Sequence, residues 1–277
     1  MTEARISYGK LVVPLQLVRG AHLLACEVSM AVLGQGFLAA YTEGDNRRVV
    51  ATDTMKNVVL RQAHAYEGAT LEGLLDHLGS YFLATYPDME ALRLWAEERP
   101  FLAVSDTVFR RVDGDRAVAE LELAREADGT ATLVGQRSGI VGYRLLKTTG
   151  SAFTSFARDD ATTLPERGDR PLYLHLDVHW RHTHPGDAVG PAHVDPRGVG
   201  ELLLRLHDAF VSESIQHLVH ELGQRMLSTY PTLGEVAFRG ENHTYDPVPG
   251  AADADPLRKT YTSPFPAWGL ITLVLTR

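Results

Sequence analysis

The chain of 277 residues contains a single cysteine, Cys26. No internal disulfide can form, and no metal site can be built from several thiolates of one chain. Long apolar runs are also missing. The nearest approach, Ala21–Tyr41, is broken by Glu27, Gly34, Gln35 and Gly36, so no membrane-spanning helix is expected. Positive charge is scarce. The 27 Lys and Arg against 35 Asp and Glu leave a formal charge of −8, which gives no electrostatic reason to hold nucleic acid or an anionic membrane. Met1-Thr2-Glu3-Ala4-Arg5 leads into polar sequence and lacks the apolar core of a secretory signal. No glycine-rich dinucleotide fingerprint, phosphate loop or Gly-x-Ser-x-Gly element occurs, which removes support for nicotinamide, flavin or hydrolase chemistry. The expectation from these absences is a soluble, reduced, cytoplasmic globular protein.

Lysine is scarce within the basic set: Lys10, Lys56, Lys147 and Lys259 stand among 23 arginines. A lysine in such a chain is either chance or a position where a group that can lose its proton is required, which arginine cannot do.

What is present is ordinary globular material, 44% hydrophobic and 22% charged. Ile6–Val18 and Leu24–Tyr41 carry strand-like patterns, with Arg19-Gly20-Ala21-His22 as the turn between them. Asp53 can cap a helix over Thr54–Ala65, and Thr70 one over Leu71–Tyr86. In the latter, Leu71, Leu74, Leu75, Leu78, Phe82 and Leu83 recur at helical spacing, and Tyr86-Pro87 ends it. Strands are expected at Ala91–Glu97, Val104–Arg111, Val118–Glu126, Ala131–Val134 and Gly139–Leu146. The second half repeats the order. Leu172–Arg181 is strand-like, Gly200–Val211 and Ser214–Tyr230 are helical, Tyr230-Pro231 ends the second helix, and Gly234–Glu241 and Trp268–Thr276 are strands. His243–Ser263 is polar and rich in Pro, Ala and Asp, as an exposed loop is. The expected fold class is therefore α+β, a doubled unit of antiparallel strands and paired helices over residues 1–135 and 136–277. Strand content this high leaves edges that a closed oligomeric barrel would remove.

Three segments carry a resemblance. Tyr8-Gly9-Lys10 is the first. Tyr41-Thr42-Glu43-Gly44-Asp45-Asn46 runs on into the second, Val49-Val50-Ala51-Thr52-Asp53-Thr54-Met55-Lys56-Asn57. Leu146-Lys147-Thr148-Thr149-Gly150-Ser151-Ala152-Phe153 leads into Phe156-Ala157-Arg158-Asp159, Thr162-Thr163-Leu164 and Asp169-Arg170. In this order the chain resembles the urate oxidase (uricase) family, the cofactor-independent oxidases of purine breakdown. The resemblance implies two tandem tunnelling-fold (T-fold) units per chain. It also implies a homotetramer of stacked barrels with active sites between subunits, and no cofactor beyond molecular oxygen as co-substrate.

It implies roles as well. Urate is a planar, electron-rich anion. Its oxidation by O2 needs a proton removed, the anion stabilised, and oxygen held over the ring away from bulk water. Arg170 and Gln216 would clamp the substrate, with the Ile215 backbone N–H, and Phe153 would stack on its face. Thr52 and Asp53 would reach in from a neighbouring subunit. Lys10 with Thr52 would remove the proton, and Asn242 would hold oxygen and then water. On residue type alone these are, in turn, a surface Arg, a helix-start Gln beside a core Ile, a core aromatic, a helix cap, a strand Lys and a loop Asn.

The resemblance departs from the family pattern in two places. The family's Asn-x-His becomes Asn242-His243-Thr244, with the histidine one place early. A one-residue shift on a strand turns a side chain to the other face. Either a bulge restores His243, or Thr244 takes the relay position with a hydroxyl that is no base at neutral pH; gapless alignment from Val236 favours Thr244. The family's His-x-His-x-Phe segment is absent from 102–109. These departures leave room for a relative acting on another purine-like heterocycle, or for a non-catalytic purine-binding protein. A metal enzyme is the further rival, on His175, Asp177 and His179, with His182, His184 and His193 behind. Alternate strand positions spread the first three over roughly 13 Å, too far for one ion, so a polar strand face is the preferred reading and no metal is expected.

Overall fold

Side-chain alternation and helical periodicity resolve into two cores. The structure, a computed structural model, describes residues 5–248, 259–262 and 266–277. The first five residues' leader reading and the expected loop at His243–Ser263 therefore fall partly outside the described residues. Contacts divide the chain into one unit of Met1–Gly139 with Arg181–His193 and another of Ile140–Trp180 with Val194–Arg277.

In the first unit β1 (Ser7–Arg19) and β2 (His22–Leu33) form an antiparallel hairpin. A short helix, α1 (Leu38–Thr42), follows where a continuing strand was expected. Gly34, at φ +124°, explains the break: β2 cannot pass through a left-handed residue. Next come α2 (Thr52–Ala65), α3 (Leu71–Thr85) and β3 (Ala91–Glu98). The expected strand at Val104–Arg111 is instead a small hairpin of β4 (Phe101–Ala103) and β5 (Phe109–Arg111). Ser105 makes its turn, its hydroxyl accepting from the Val108 N–H at 3.1 Å. β6 (Arg116–Arg125) is followed by β7 (Ala131–Lys147), one continuous strand where two were expected. The sheet order is β1-β2-β3-β6-β7, and α2 and α3 cover one face. Between them lies a core that includes Val28, Met30, Met55, Leu74, Leu78, Phe82, Leu94 and Leu121.

The second unit holds β8 (Leu172–His182), α4 (Pro196–Ala209), α5 (Ile215–Thr229), β9 (Leu233–His243) and β10 (Gly269–Thr276). Its sheet order is β7-β8-β9-β10. On β8, Leu172, Leu174, Leu176, Val178 and Trp180 alternate into the core, while Tyr173, His175, Asp177 and His179 take the other face. Lys147, one of the four lysines, is structural. Its ammonium donates to the carbonyls of His207, Asp208 and Phe210, closing the C-terminus of α4.

The helices α3 and α5 show the doubling most directly. Both have 15 residues and both run into Tyr-Pro. Leu71, Leu74, Leu78 and Phe82 match Ile215, Leu218, Leu222 and Met226 in position and burial. The ninth residue of each is glycine. A Cβ on Gly79 would sit 2.7 Å from a methyl of Leu123, and one on Gly223 2.6 Å from a methyl of Leu275. Each glycine lets its helix lie close on the sheet. Gly79→Val and Gly223→Val should each lower the unfolding free energy by roughly 1–3 kcal/mol through overpacking, read from urea denaturation.

Candidate active site

The site in the second unit is assembled on the backbone of Ser151–Phe153. The Ser151 carbonyl accepts from the Arg170 N–H at 2.8 Å. Ala152 N–H donates to the Ser212 carbonyl at 2.7 Å, and Phe153 exchanges two bonds with Arg167, at 2.8 and 3.0 Å. One short segment thus holds Phe153, Arg170 and the start of α5 in place. The turn before it is left-handed, Gly150 at φ +76°. The Asp169 carboxylate clamps that turn, accepting from Thr149 Oγ1 and Gly150 N–H, each at 2.7 Å, and from Lys259 Nζ at 3.1 Å. Burial works to raise the Asp169 pKa, but these bonds together outweigh it and hold the group below its ordinary value.

Phe153, Arg170 and Thr244 line a cavity of about 500 Å³, with Leu164, Tyr245 and Tyr261. Phe153 stacks on Phe156, ring centroids 4.9 Å apart and 10° from parallel. The Arg170 guanidinium carbon stands 5.3 Å from the Phe153 ring centroid. Burial lowers the Arg170 pKa, with the charge of Arg167 adding to the effect. Its Nε is buried and has no hydrogen-bond partner among the described residues. Such a donor is costly unless something accepts from it.

Ile215 and Gln216 open α5. Ser214 caps that helix, its hydroxyl accepting from the His217 N–H at 3.1 Å. The Ile215 side chain lies in the core, while Gln216 is exposed. Asn242 pairs with Gly269, and the β9–β10 register runs without a shift from there to Thr276. Asn242 therefore shares a face with Gly240, and His243 turns to the opposite one. His243 is buried against His175 and Trp268, with ring centroids 3.8 and 3.9 Å away. It does not line the cavity; Thr244 does.

Lys10, Thr52 and Asp53 belong to the first unit, where their arrangement explains the Tyr8-Gly9-Lys10 segment. The β1–β2 register slips between Lys10 and Val13, with Leu11 and Val12 opposite Ser29 alone. Val12 has φ +56°, rare for a β-branched residue, and its N–H is taken by Ser29 Oγ at 2.9 Å. The pairs Tyr8↔Val32, Lys10↔Met30 and Val13↔Val28 share the helix-covered face. Without the extra residue Lys10 would point the other way. Gly9 has no room for a side chain, since a Cβ would lie 1.9 Å from the Met30 carbonyl oxygen. The Tyr8 hydroxyl accepts from the Val50 N–H at 3.0 Å, fixing the approach to α2.

Asp53 does not cap its helix, which corrects one expectation. The helix begins at Thr52, and the N-cap residue is Ala51, with no side-chain bond. Asp53 instead accepts from Lys56 Nζ at 2.6 Å and Asn57 Nδ2 at 3.1 Å. Its pKa is lowered, first by the Lys56 hydrogen bond, with smaller help from Asn57 and the charge of nearby Lys10. Of the four longer helices, α3, α4 and α5 are capped by Thr70, Asp195 and Ser214, and α2 alone is not. Its first-turn N–H groups are left for something else.

The family model for uricase matches residues 30–125 and 136–265. The chain belongs to the uricase family. It is 40% identical over 248 residues to the uricase of Haloferax volcanii, covering 84% of this chain and 80% of that protein. It is 36% identical over 276 residues to the uric acid degradation bifunctional protein of Bacillus subtilis, covering 94% of this chain and 55% of that longer one. The crystal structure of urate oxidase from Bacillus sp. TB-90 superposes with a TM-score of 0.91 at 32% identity, covering 98% of this chain and all of that one. The duplicated α+β architecture is thus that of solved uricases. Among the described residues no helix is long and apolar enough to cross a membrane.

The Asp169 clamp makes a pH prediction. Because its folded pKa lies below the ordinary 3.8, its stabilisation is complete above that value and is lost as pH falls through the folded value. The urea midpoint of the wild type should exceed that of Asp169→Asn by a constant margin from pH 7 down to about 5, and the margin should shrink progressively below that.

Proposed function

We propose that this uricase-family chain oxidises urate with molecular oxygen: urate, O2 and water give 5-hydroxyisourate and hydrogen peroxide. The observation that supports this best is Arg170, whose buried, unpartnered Nε stands beside an aromatic platform in a cavity of purine size. A guanidinium there offers parallel N–H donors to the acceptor edge of an anionic purine. Gln216 and the Ile215 N–H complete the clamp, and Phe153 stacks on the ring, an interaction of roughly 1–3 kcal/mol by analogy with base stacking. The uncapped start of α2 offers N–H groups and the Thr52 hydroxyl to the same anion, with Asp53 beside them.

Lys10 serves as the base and Thr52 relays the proton. Asn242 holds oxygen and then water over the ring. Thr244, in place of the family histidine, passes a proton only as a hydroxyl relay, through water. Electrons leave the substrate dianion for O2, so the chain's task is to bind, deprotonate and shield. Four chains assemble, and the Lys10, Thr52 and Asp53 set of one completes the cavity of another. Among the described residues β1 and β10 are the edge strands of the sheet, which supports such assembly. The family names do not favour a different heterocycle or a silent relative. No cofactor is required in this reading, and the chain works in the cytoplasm.

The test is an assay of metal-stripped protein with urate, following urate absorbance and oxygen uptake together; no turnover with urate still bound overturns the reading. Lys10→Met should lower kcat by about 10²–10⁴-fold with KM little changed. Arg170→Ala should instead weaken urate binding first, measured by calorimetry, and unchanged affinity would remove Arg170 from the clamp.

A further inference from the structure

Away from the cavity, three potential ligands converge on the sheet face opposite the helices of the second unit. His175 comes from β8, and Glu241 and His243 from β9, two residues apart on one side of the strand. One ligand atom from each lies within 4.8 Å of the others. The imidazole rings are 3.8 Å apart, centroid to centroid. Nε2 of both histidines is buried without a hydrogen-bond partner among the described residues, and His243 is only 6% exposed. Two buried imidazole nitrogens without hydrogen-bond partners are a standing cost unless a ligand accepts their lone pairs.

We propose that His175, Glu241 and His243 form a binding site for a divalent first-row transition ion of the zinc class. Two imidazoles and one carboxylate are a donor set such ions take, with bonds of about 2.0–2.2 Å. Tetrahedral placement at those lengths separates ligand atoms by about 3.4 Å and the two ring centroids by about 5 Å, so on binding the ligand atoms close by roughly an ångström while the His175 ring swings away from the His243 ring. His175 and Glu241, both partly exposed, have room to make that move. A fourth position remains for water.

The surroundings suit the role. Arg239 Nη1 donates to Glu241 Oε1 at 2.8 Å and leaves Oε2 facing His243 Nε2 at 3.5 Å. That is the outer-shell support a ligating carboxylate receives. Arg239 also holds the Glu241 pKa down, so the carboxylate is ionised. Burial lowers the His175 pKa, with the neighbouring charges of His243 and Arg144 acting in the same direction and those of Glu241 and Asp177 opposing. The imidazole is neutral at pH 7, as ligation requires. Trp268 and Tyr173 pack around His243 and fix its ring. Asp177, on the same strand face, accepts from the Gly142 N–H through Oδ1 at 2.8 Å and is outside the converging set. The set differs from the strand triplet His175, Asp177 and His179, which only sequence alternation suggests.

The test is calorimetric titration of metal-stripped, full-length protein with Zn2+, and with Co2+ followed by visible absorption. One equivalent per chain should bind, and Co2+ should show the intense bands of four-coordinate geometry. His175→Gln and Glu241→Gln should each weaken Zn2+ binding at least tenfold, and Arg239→Ala by about tenfold. Mg2+ and Ca2+ should not compete. No Zn2+ binding by the wild type overturns the proposal, and so does binding that neither His175→Gln nor Glu241→Gln weakens, which would assign it to surface histidines. His243→Gln is a third variant, and the two partly exposed positions decide the matter if it does not fold. The readout is binding, so it stands or falls separately from urate turnover.

Discussion

The second unit depends on four backbone bonds made by Ser151, Ala152 and Phe153. They join segments far apart in sequence: the 167–170 turn on one side and the 212–216 helix start on the other. The Asp169 carboxylate locks the left-handed turn that leads into them. Without those backbone bonds, Phe153 and Arg170 would sit on two unconnected loops. With them, the Arg170 guanidinium carbon and the Phe153 ring centroid hold a fixed spacing of 5.3 Å. Positioning of this kind, by main chain rather than side chain, leaves the functional groups themselves unpartnered.

The first unit solves a different problem with a different device. Lys10 faces the helix-covered side of the sheet, and simple alternation from Val13 would turn it away. One extra residue reverses the alternation. Its cost is a β-branched residue in a left-handed conformation, offset in part by the Ser29 hydroxyl on its N–H. Gly9 belongs to the same device, because the bulged strand lies against the Met30 carbonyl.

Much of this was legible in the sequence. The apolar spacing of α3 and α5 and their Tyr-Pro ends fixed both helices to within a residue, because burial on one helix face imposes a period that survives divergence. Strands β1, β3, β6 and β8 were legible from two-residue alternation, whereas the β4–β5 hairpin read as a single strand. The bulge was not, since it depends on Ser29 across the ladder. The helix-start reading of Asp53 failed because Lys56 and Asn57 compete for the same carboxylate. The break after Leu33 was masked by apolar residues that serve a helix as well as a strand. The family resemblance named the cavity residues Phe153 and Arg170, which residue type alone would have left as core and surface. The meeting of His175 with Glu241 and His243 had no sequence signal, because register between β8 and β9 brings them together.

The bare start of α2 has a thermodynamic meaning. A side-chain cap contributes about 0.5–2 kcal/mol to a helix, and the matching helix α4 receives one from Asp195. The two matching helices thus differ: α4 carries its own cap and α2 does not. What α2 forgoes as a free chain is recovered whenever an acceptor arrives at its N–H groups. Occupancy at the start of α2 and its local folding are therefore linked.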